Sequence, residues 1–531
     1  MTTDTQNSLT QFDLCVAIAE KSLNSQLQTG WRQWLARSEF SAADPRAGDF
    51  TGEINIYPTN AETGKPSRYG LKATLAPFTI SLNVPQGKLG QVQVTLTLAS
   101  GQVDYYSEAR EEPATQPIRN WKISFVTDLD QQPVDWDTLK LIDPAAHSAA
   151  EQVVSRAELS PSVFSIEYLA MTLSKADLVS NAIVDIPAEV PSDAVTKAKA
   201  MLNLLTSGQA GDYVLGTVVR RSKTRGIALP TFALTDFIFS VKADPVPCAS
   251  TLSYLGMFSK RPLPEDVDAA RLAFRDNWVR PDMLDGTRGL VSGVMVIGKR
   301  ALLDDHLIKQ FTDALGRAPD VDPNGMRWTY RAEQKHKTRR KDIISHNFEH
   351  GWSWEIRIEV VPGTAQLNIS GRINSFVHYE GRTLKVWRFG NDRTEGQYND
   401  GHQDIRATLK LEGSGGSLDF KITADIPEDN YFSQVFVDRD TTFGFSHVTE
   451  AAGAVFKAVG IIGNSPAEIL ENASAGQLHS LKEVMNNALK QIDVECNEHA
   501  FIPPGGGVFT FQNLRFSDAG DAVVDVIYQS P

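Results

Sequence analysis

The apolar positions of the chain begin as one long stripe. Phe12, Val16, Ala19, Leu23, Leu27, Trp31 and Leu35 recur at three- and four-residue intervals, which predicts a helix over 12–35. Such a rod rises about 36 Å, and Gly30 weakens it near its end. From residue 50 to 130 the period becomes two. Val92, Val94, Leu96 and Leu98 share one face, Ser100-Gly101 reads as a turn, and Val103 and Tyr105 resume the alternation. Trp121, Ile123 and Phe125 line another strand. One apolar face and one wet face is the pattern of an antiparallel sheet. A helix is predicted over 194–205, with Val195, Ala198, Met201, Leu202 and Leu205 on its apolar side, and a strand over 213–219.

The second half runs in the same order. Leu303, Leu307, Phe311 and Leu315 stripe a helix over 302–315. Strands are predicted over 352–360, 373–379, 384–387, 405–411 and 418–424, with a turn at Gly413–Gly416. Leu481, Val484, Met485, Ala488, Leu489 and Ile492 then mark a further helix. Each half closes on a similar strand. Phe232, Phe239 and Ser240 align without a gap on Phe509, Phe516 and Ser517, and Leu234, Asp236 and Phe237 fall opposite Phe511, Asn513 and Leu514. The alternation breaks at Asp236 and Asn513, which suits a bulge. The pattern predicts an internal duplication, with modules over 1–255 and 256–531 and a junction in the Pro-rich or polar stretch 243–290.

A striped helix needs a surface to cover it, and a sheet with one apolar face needs a filler. The expected fold is therefore mainly β (α+β), with curved antiparallel sheets wrapped around long helices. A loose fit leaves an elongated apolar slot for an alkyl chain, and a tight fit leaves only core. The residues placed to line such a slot are Val16, Leu23, Leu27 and Trp31 in the first half and Leu481, Met485 and Leu489 in the second.

Composition narrows the function. A net charge of -13 over 531 residues argues against a general nucleic-acid binder. Cys15, Cys248 and Cys496 are too few and too scattered for a disulfide framework, which points to a reducing compartment. The polar start carries no secretory signal pattern, and no apolar run reaches membrane-span length. The protein is expected in the cytoplasm on synthesis, with any release by a route that needs no signal peptide.

Candidate chemistry is sparse. His346-Asn-Phe-Glu-His350 has the H-x-x-E-H spacing of a zinc protease, but it runs into Gly351 and a strand rather than a helix. Asp320–Gly325 imitates the start of a calcium loop, yet Arg331 stands where the twelfth-position Glu is needed, so an Asx-Gly turn is expected. Thr63–Ser67 lacks the second Walker glycine. Neither a cofactor nor a metal is expected. The basic run Lys335, Lys337, Arg339, Arg340 and Lys341 reads as a solvated loop, with anionic headgroups or an acidic partner as its functional readings.

Several stretches carry a family resemblance. Phe12–Leu27, Tyr213–Gly216, Leu229–Phe232, Ser253–Leu255 with Asn277–Val279, and Phe501–Tyr528 resemble the forty-seven-kilodalton and OrfX protein families of botulinum neurotoxin gene clusters, within the TULIP superfamily of tubular lipid-binding proteins. The resemblance implies a helix wrapped by a curved sheet, an apolar lipid-type ligand, and toxin-complex proteins as partners. It supplies no catalytic residues. The expectation is a non-enzymatic lipid or apolar-ligand binding protein of two TULIP-like modules. An assembly component acting through protein contacts and a hydrolase with an unrecognised site are the alternatives.

Overall fold

The computed structural model describes residues 9–37, 52–142, 147–151, 164–171, 182–221, 234–438 and 501–529, apart from short stretches inside those ranges. The chain opens with a strand, β1 (Leu14–Ala19), and only then enters a helix, α1 (Glu20–Arg37). The predicted helix over 12–35 is thus corrected in its first part. All six residues of β1 are buried, because both faces of the strand are covered. An unbroken apolar run fits a buried strand and a buried helix equally well.

The first half continues with β2 (Gly52–Ile56), β3 (Gly70–Leu75), β4 (Thr79–Ser81), β5 (Gln91–Ser107), β6 (Glu112–Val134), α2 (Trp136–Ile142), β7 (Phe164–Met171) and β8 (Ile183–Asp185). Next come α3 (Ser192–Gly208), β9 (Tyr213–Arg221), β10 (Leu234–Lys242), β11 (Thr251–Phe258) and α4 (Val267–Ala273). The second half begins with β12 (Gly293–Ile297), a π-helical stretch (Arg300–Ile308) that runs directly into α5 (Lys309–Leu315), and β13 (Asp320–Val321). Long strands follow: β14 (Arg327–Lys341), β15 (Ile344–Val361), β16 (Gln366–Thr383), β17 (Arg393–Ser414), β18 (Ser417–Asp425) and β19 (Asn430–Asp438). Last are β20 (Phe501–Ile502), β21 (Val508–Phe516) and β22 (Ala522–Gln529). The fold is mainly β, with helices against curved antiparallel sheets.

Among the described residues the strands form three sheets. The first runs β2-β3-β5-β6-β7-β9-β20, with β4 on β5 and β8 on β6. Its apolar face carries the predicted Val92, Val94, Leu96, Leu98, Trp121, Ile123 and Phe125, all buried. Ser100-Gly101 is not a turn. β5 continues through it, and the pairing steps from Leu98 opposite Trp121 to Ser100 opposite Arg119. Ala99 and Asn120 (φ 52°) are left between those pairs, so Val103 and Tyr105 return to the buried side despite the odd spacing. Helix α3 lies on β3, β5 and β6 through Ala194, Ala198, Met201 and Leu202. The second sheet runs β13-β14-β15-β16-β17-β18, with β19 on β17.

The third sheet draws on both halves, in the order β10-β11-β1-β12-β22-β21. From either edge it reads alike: an edge strand, its antiparallel neighbour, then a strand that leads into a helix. The edges are β10 and β21, which hold Leu234–Ser240 and Phe509–Phe516 of the two similar segments. Register shifts fall between Leu234 and Asp236 and between Gln512 and Arg515, with Asn513 at φ 51°. Val16, Ile18, Tyr254 and Met295 face the main core, whereas Cys15, Ala17, Leu255 and Val296 face a second one. Ala249, Ala270, Trp278, Val279 and Met283 complete the second core. Segments on either side of β11 within 243–290 thus cover one face of this sheet, and residues 255 and 256 both lie inside β11.

Two buried carboxylates tie distant parts of the chain to this sheet. Asp13 accepts from the Phe258 N–H at 3.0 Å and pairs with Arg261 and Arg300. Asp521 accepts from the Leu9 N–H at 3.0 Å and the Lys299 N–H at 2.7 Å.

Candidate functional site

The apolar candidates of the first half sit deep in the core. Val16 is 2% exposed, and Leu23 and Leu27 are 1% exposed. A void wide enough for an alkyl chain would leave its walls accessible to water-sized contact, so these three side chains are packed. Leu23 and Leu27 are one helical turn apart on α1, which lies along β4. Trp31 belongs to α1, but its side chain is outside the described residues, as are Leu481, Met485 and Leu489 altogether.

The basic candidates are not a loop. Lys335, Lys337, Arg339, Arg340 and Lys341 all belong to β14, paired with β15 up to Lys341 opposite Ser345. The run has no apolar alternation, and an exposed strand needs none. Lys335 lies 3.4 Å from Glu333 and Lys337 lies 3.5 Å from Glu349, all on the surface. Exposed pairs of this kind are each worth about 1 kcal/mol or less. The side chains of Arg339, Arg340 and Lys341 are outside the described residues.

A space of about 630 Å³ opens where α5 gives way to β14, β15 and β16. Arg317, Arg331, Glu333, Ser353, Glu355, Arg372 and Asn374 line it with Ala332 and Trp354. Gly316 (φ 67°) ends α5 in the left-handed region and turns the chain toward Arg317. The Arg317 guanidinium donates to the Arg331 carbonyl and lies 5.8 Å from the centre of the Trp354 ring. Arg331 bonds Glu355 at 2.7 Å, and Arg372 grips Asp404 through two bonds of 2.6 and 3.1 Å. The hydrogen bond from Arg331 holds the Glu355 carboxyl below its usual range. Sequence reading named Arg331 only as the residue that spoils a calcium loop and passed over the other polar residues of this site, most of which alternate on the polar face of β14, β15 and β16.

The motif candidates resolve into structure. His346 and His350 lie on one strand, β15, where four residues of rise separate them by roughly 13 Å, too far to share one metal. Among the described residues no group of three or more His, Cys, Asp and Glu side chains could hold a metal ion. The turn at Asp320–Gly325 is built by Asp322, whose Oδ1 accepts from the Met326 N–H at 2.8 Å and the Arg327 N–H at 2.9 Å. Gly325 takes φ 67° there. Arg331 stands 3.6 Å from Asp320. His306, in the π-helical stretch, is buried, and burial holds its pKa down to about 4.

No described helix is long and apolar enough to cross a membrane. The chain is similar to P47 of Clostridium botulinum. P47 from Clostridium botulinum A2 aligns over 97% of this chain and 97% of its own, with 9% identity and a TM-score of 0.44. P47 of Clostridium botulinum E1 gives the same score and identity over 97% of this chain and 98% of its own. A lipopolysaccharide binding protein aligns over 98% of this chain and 99% of its own, with 9% identity and a TM-score of 0.26. No protein-family model and no curated protein matches the sequence.

Proposed function

We propose that this protein is a non-enzymatic binding protein for a lipid or other apolar ligand, acting in a bacterial toxin-associated system. The supporting observation is the apolar face of the second sheet. Trp328, Tyr330, Trp354, Ile356, Ile358, Leu367, Ile369 and Leu409 are buried along it. The register puts Phe348, Trp352, Ile373, Val377 and Tyr379 at positions on that same face. Strands of 15 to 22 residues extend roughly 50–75 Å. Among the described residues, the nine-residue π-helical stretch and the seven-residue α5 together rise about 24 Å. The length of face beyond them is where an alkyl chain would lie.

The test is to extract the purified protein with organic solvent and identify what is released by mass spectrometry. Near-stoichiometric lipid, reduced in an Ile373→Glu variant, is expected. A clean extract from protein purified out of lipid-rich lysate, together with no uptake of a fluorescent fatty acid, would overturn the reading. The tight packing of Leu23 and Leu27 favours the second reading, an assembly component working through protein contacts, should that happen.

A further inference from the structure

The two edges of β14 are paired to different lengths. One side of this strand is paired with β15 from Arg327 opposite Glu359 to Lys341 opposite Ser345. On the other side β13 pairs with Trp328 and Thr329, and the Asp322 N–H donates to the Arg327 carbonyl. The Arg317 guanidinium then takes the carbonyl of Arg331. Past that point, among the described residues, no strand lies beside Lys335–Lys341. Among the described residues, the chain closes the Trp328–Arg331 end of this edge with its own groups and leaves the basic end open.

An open edge offers a row of N–H and C=O groups to which an extended segment can add itself as a further strand. The charge selects the occupant. Five Lys and Arg residues within Lys335–Lys341 would face like charge if a second copy paired along the same edge, so self-association is opposed. Spacing selects further. Lys335, Lys337, Arg339 and Lys341 occupy alternate positions, hence one face, about 7 Å apart. A strand bearing Asp or Glu at every second residue repeats with that same interval and sets each carboxylate across from a cation. The present partners of this ladder, Glu333 and Glu349, hold Lys335 and Lys337 only at 3.4 and 3.5 Å on the open surface, so giving them up costs little. The -13 net charge opposes long polyanions and broad anionic surfaces, whereas a short acidic segment meets chiefly the local ladder.

We propose that the Lys335–Lys341 edge of β14 docks an extended acidic segment of a partner protein by strand addition, with carboxylates at alternate positions. The experiment measures fluorescence anisotropy of a labelled ten-residue peptide of alternating Thr and Glu with the whole protein. Two further peptides carry N-methyl groups on one or the other alternate set of backbone amides. Saturable binding of the parent is expected, weakened about tenfold or more by one of the two N-methylated sets and by Lys335→Glu/Lys337→Glu. Circular dichroism and the milder Lys335→Ala/Lys337→Ala variant separate lost binding from lost folding. Absence of saturable binding would overturn the proposal, as would equal binding of all three peptides. It would also fall if phosphatidylserine vesicles or a ten-nucleotide oligothymidylate bound as tightly as the peptide and displaced it, since the edge would then be a general polyanion surface.

Discussion

The side-chain amide of Asn24 meets both backbone groups of Ile80, donating to its carbonyl at 2.9 Å and accepting from its N–H at 2.8 Å. One turn earlier on the same helix, Glu20 accepts from the Leu82 N–H at 2.7 Å. Helix α1 thus presents polar side chains to β4 as a neighbouring strand would present its backbone, and the edge of β4 is satisfied without a ladder. Asn24→Ala leaves Ile80 with two unpaired groups and is expected to cost about 1–3 kcal/mol in urea unfolding. Asn24→Asp keeps the acceptor and should lose less.

Leu23→Ala tests the packing of the same helix. Deleting a fully buried leucine in a close-packed wall costs roughly 2–5 kcal/mol. Equilibrium denaturation reads the loss directly. A change of only a few tenths would mean that the wall has spare volume, and would move the ligand reading toward the first half.

Gly293 sits where β12 crosses β1. Any Cβ there would run into the carbonyl oxygen of Ala17 on the neighbouring strand. Gly293→Ala is therefore expected to lower stability by about 1–3 kcal/mol or more, with the loss visible in thermal unfolding. Gly363→Ala serves as the control for a positive φ with open space around it, costing only the left-handed backbone preference of about 1 kcal/mol.

The pH dependence should carry two opposite signatures. His306 is held neutral down to about pH 4, while the unfolded chain protonates it near 6.5. Its contribution is complete above pH 6.5 and is lost as pH falls toward 4. Burial raises the Asp521 carboxyl, and also that of Glu20, against the hydrogen bonds that pull each down. Their contribution is present below the ordinary carboxylate range and is lost as pH rises through the raised folded value. Chemical denaturation across this range should show the acid limb flattened in His306→Gln. The alkaline side of the carboxylate window should flatten in Asp521→Asn.

Legibility in the sequence followed solvent. Where one face of an element is wet, as in Val92–Leu98 or Trp121–Phe125, the period named the element and its buried side. Where both faces are covered, as in β1, the period vanished, and six strand residues were absorbed into the following helix. Where neither position alternates in polarity, as in Lys335–Lys341, a strand passed for a loop, because pairing with β15 leaves no mark in side-chain pattern. The space beside Arg317 was illegible for a further reason. Its walls come from a helix exit and three strands, joined only by register.

The bond between Leu9 and Asp521 spans 512 positions, and its consequence lies in biosynthesis. At roughly 5–20 residues per second on the ribosome, the first strand emerges about 25–100 s before the carboxylate that will hold its start. For the first part of that interval Leu14–Ala19, apolar at every position, lacks Gly293–Ile297 on one side. A nascent chain of this design has to be shielded by a holding chaperone or by provisional pairing. A stop codon before Asp521 should therefore show itself first at the N-terminus, as protease cleavage near Leu9.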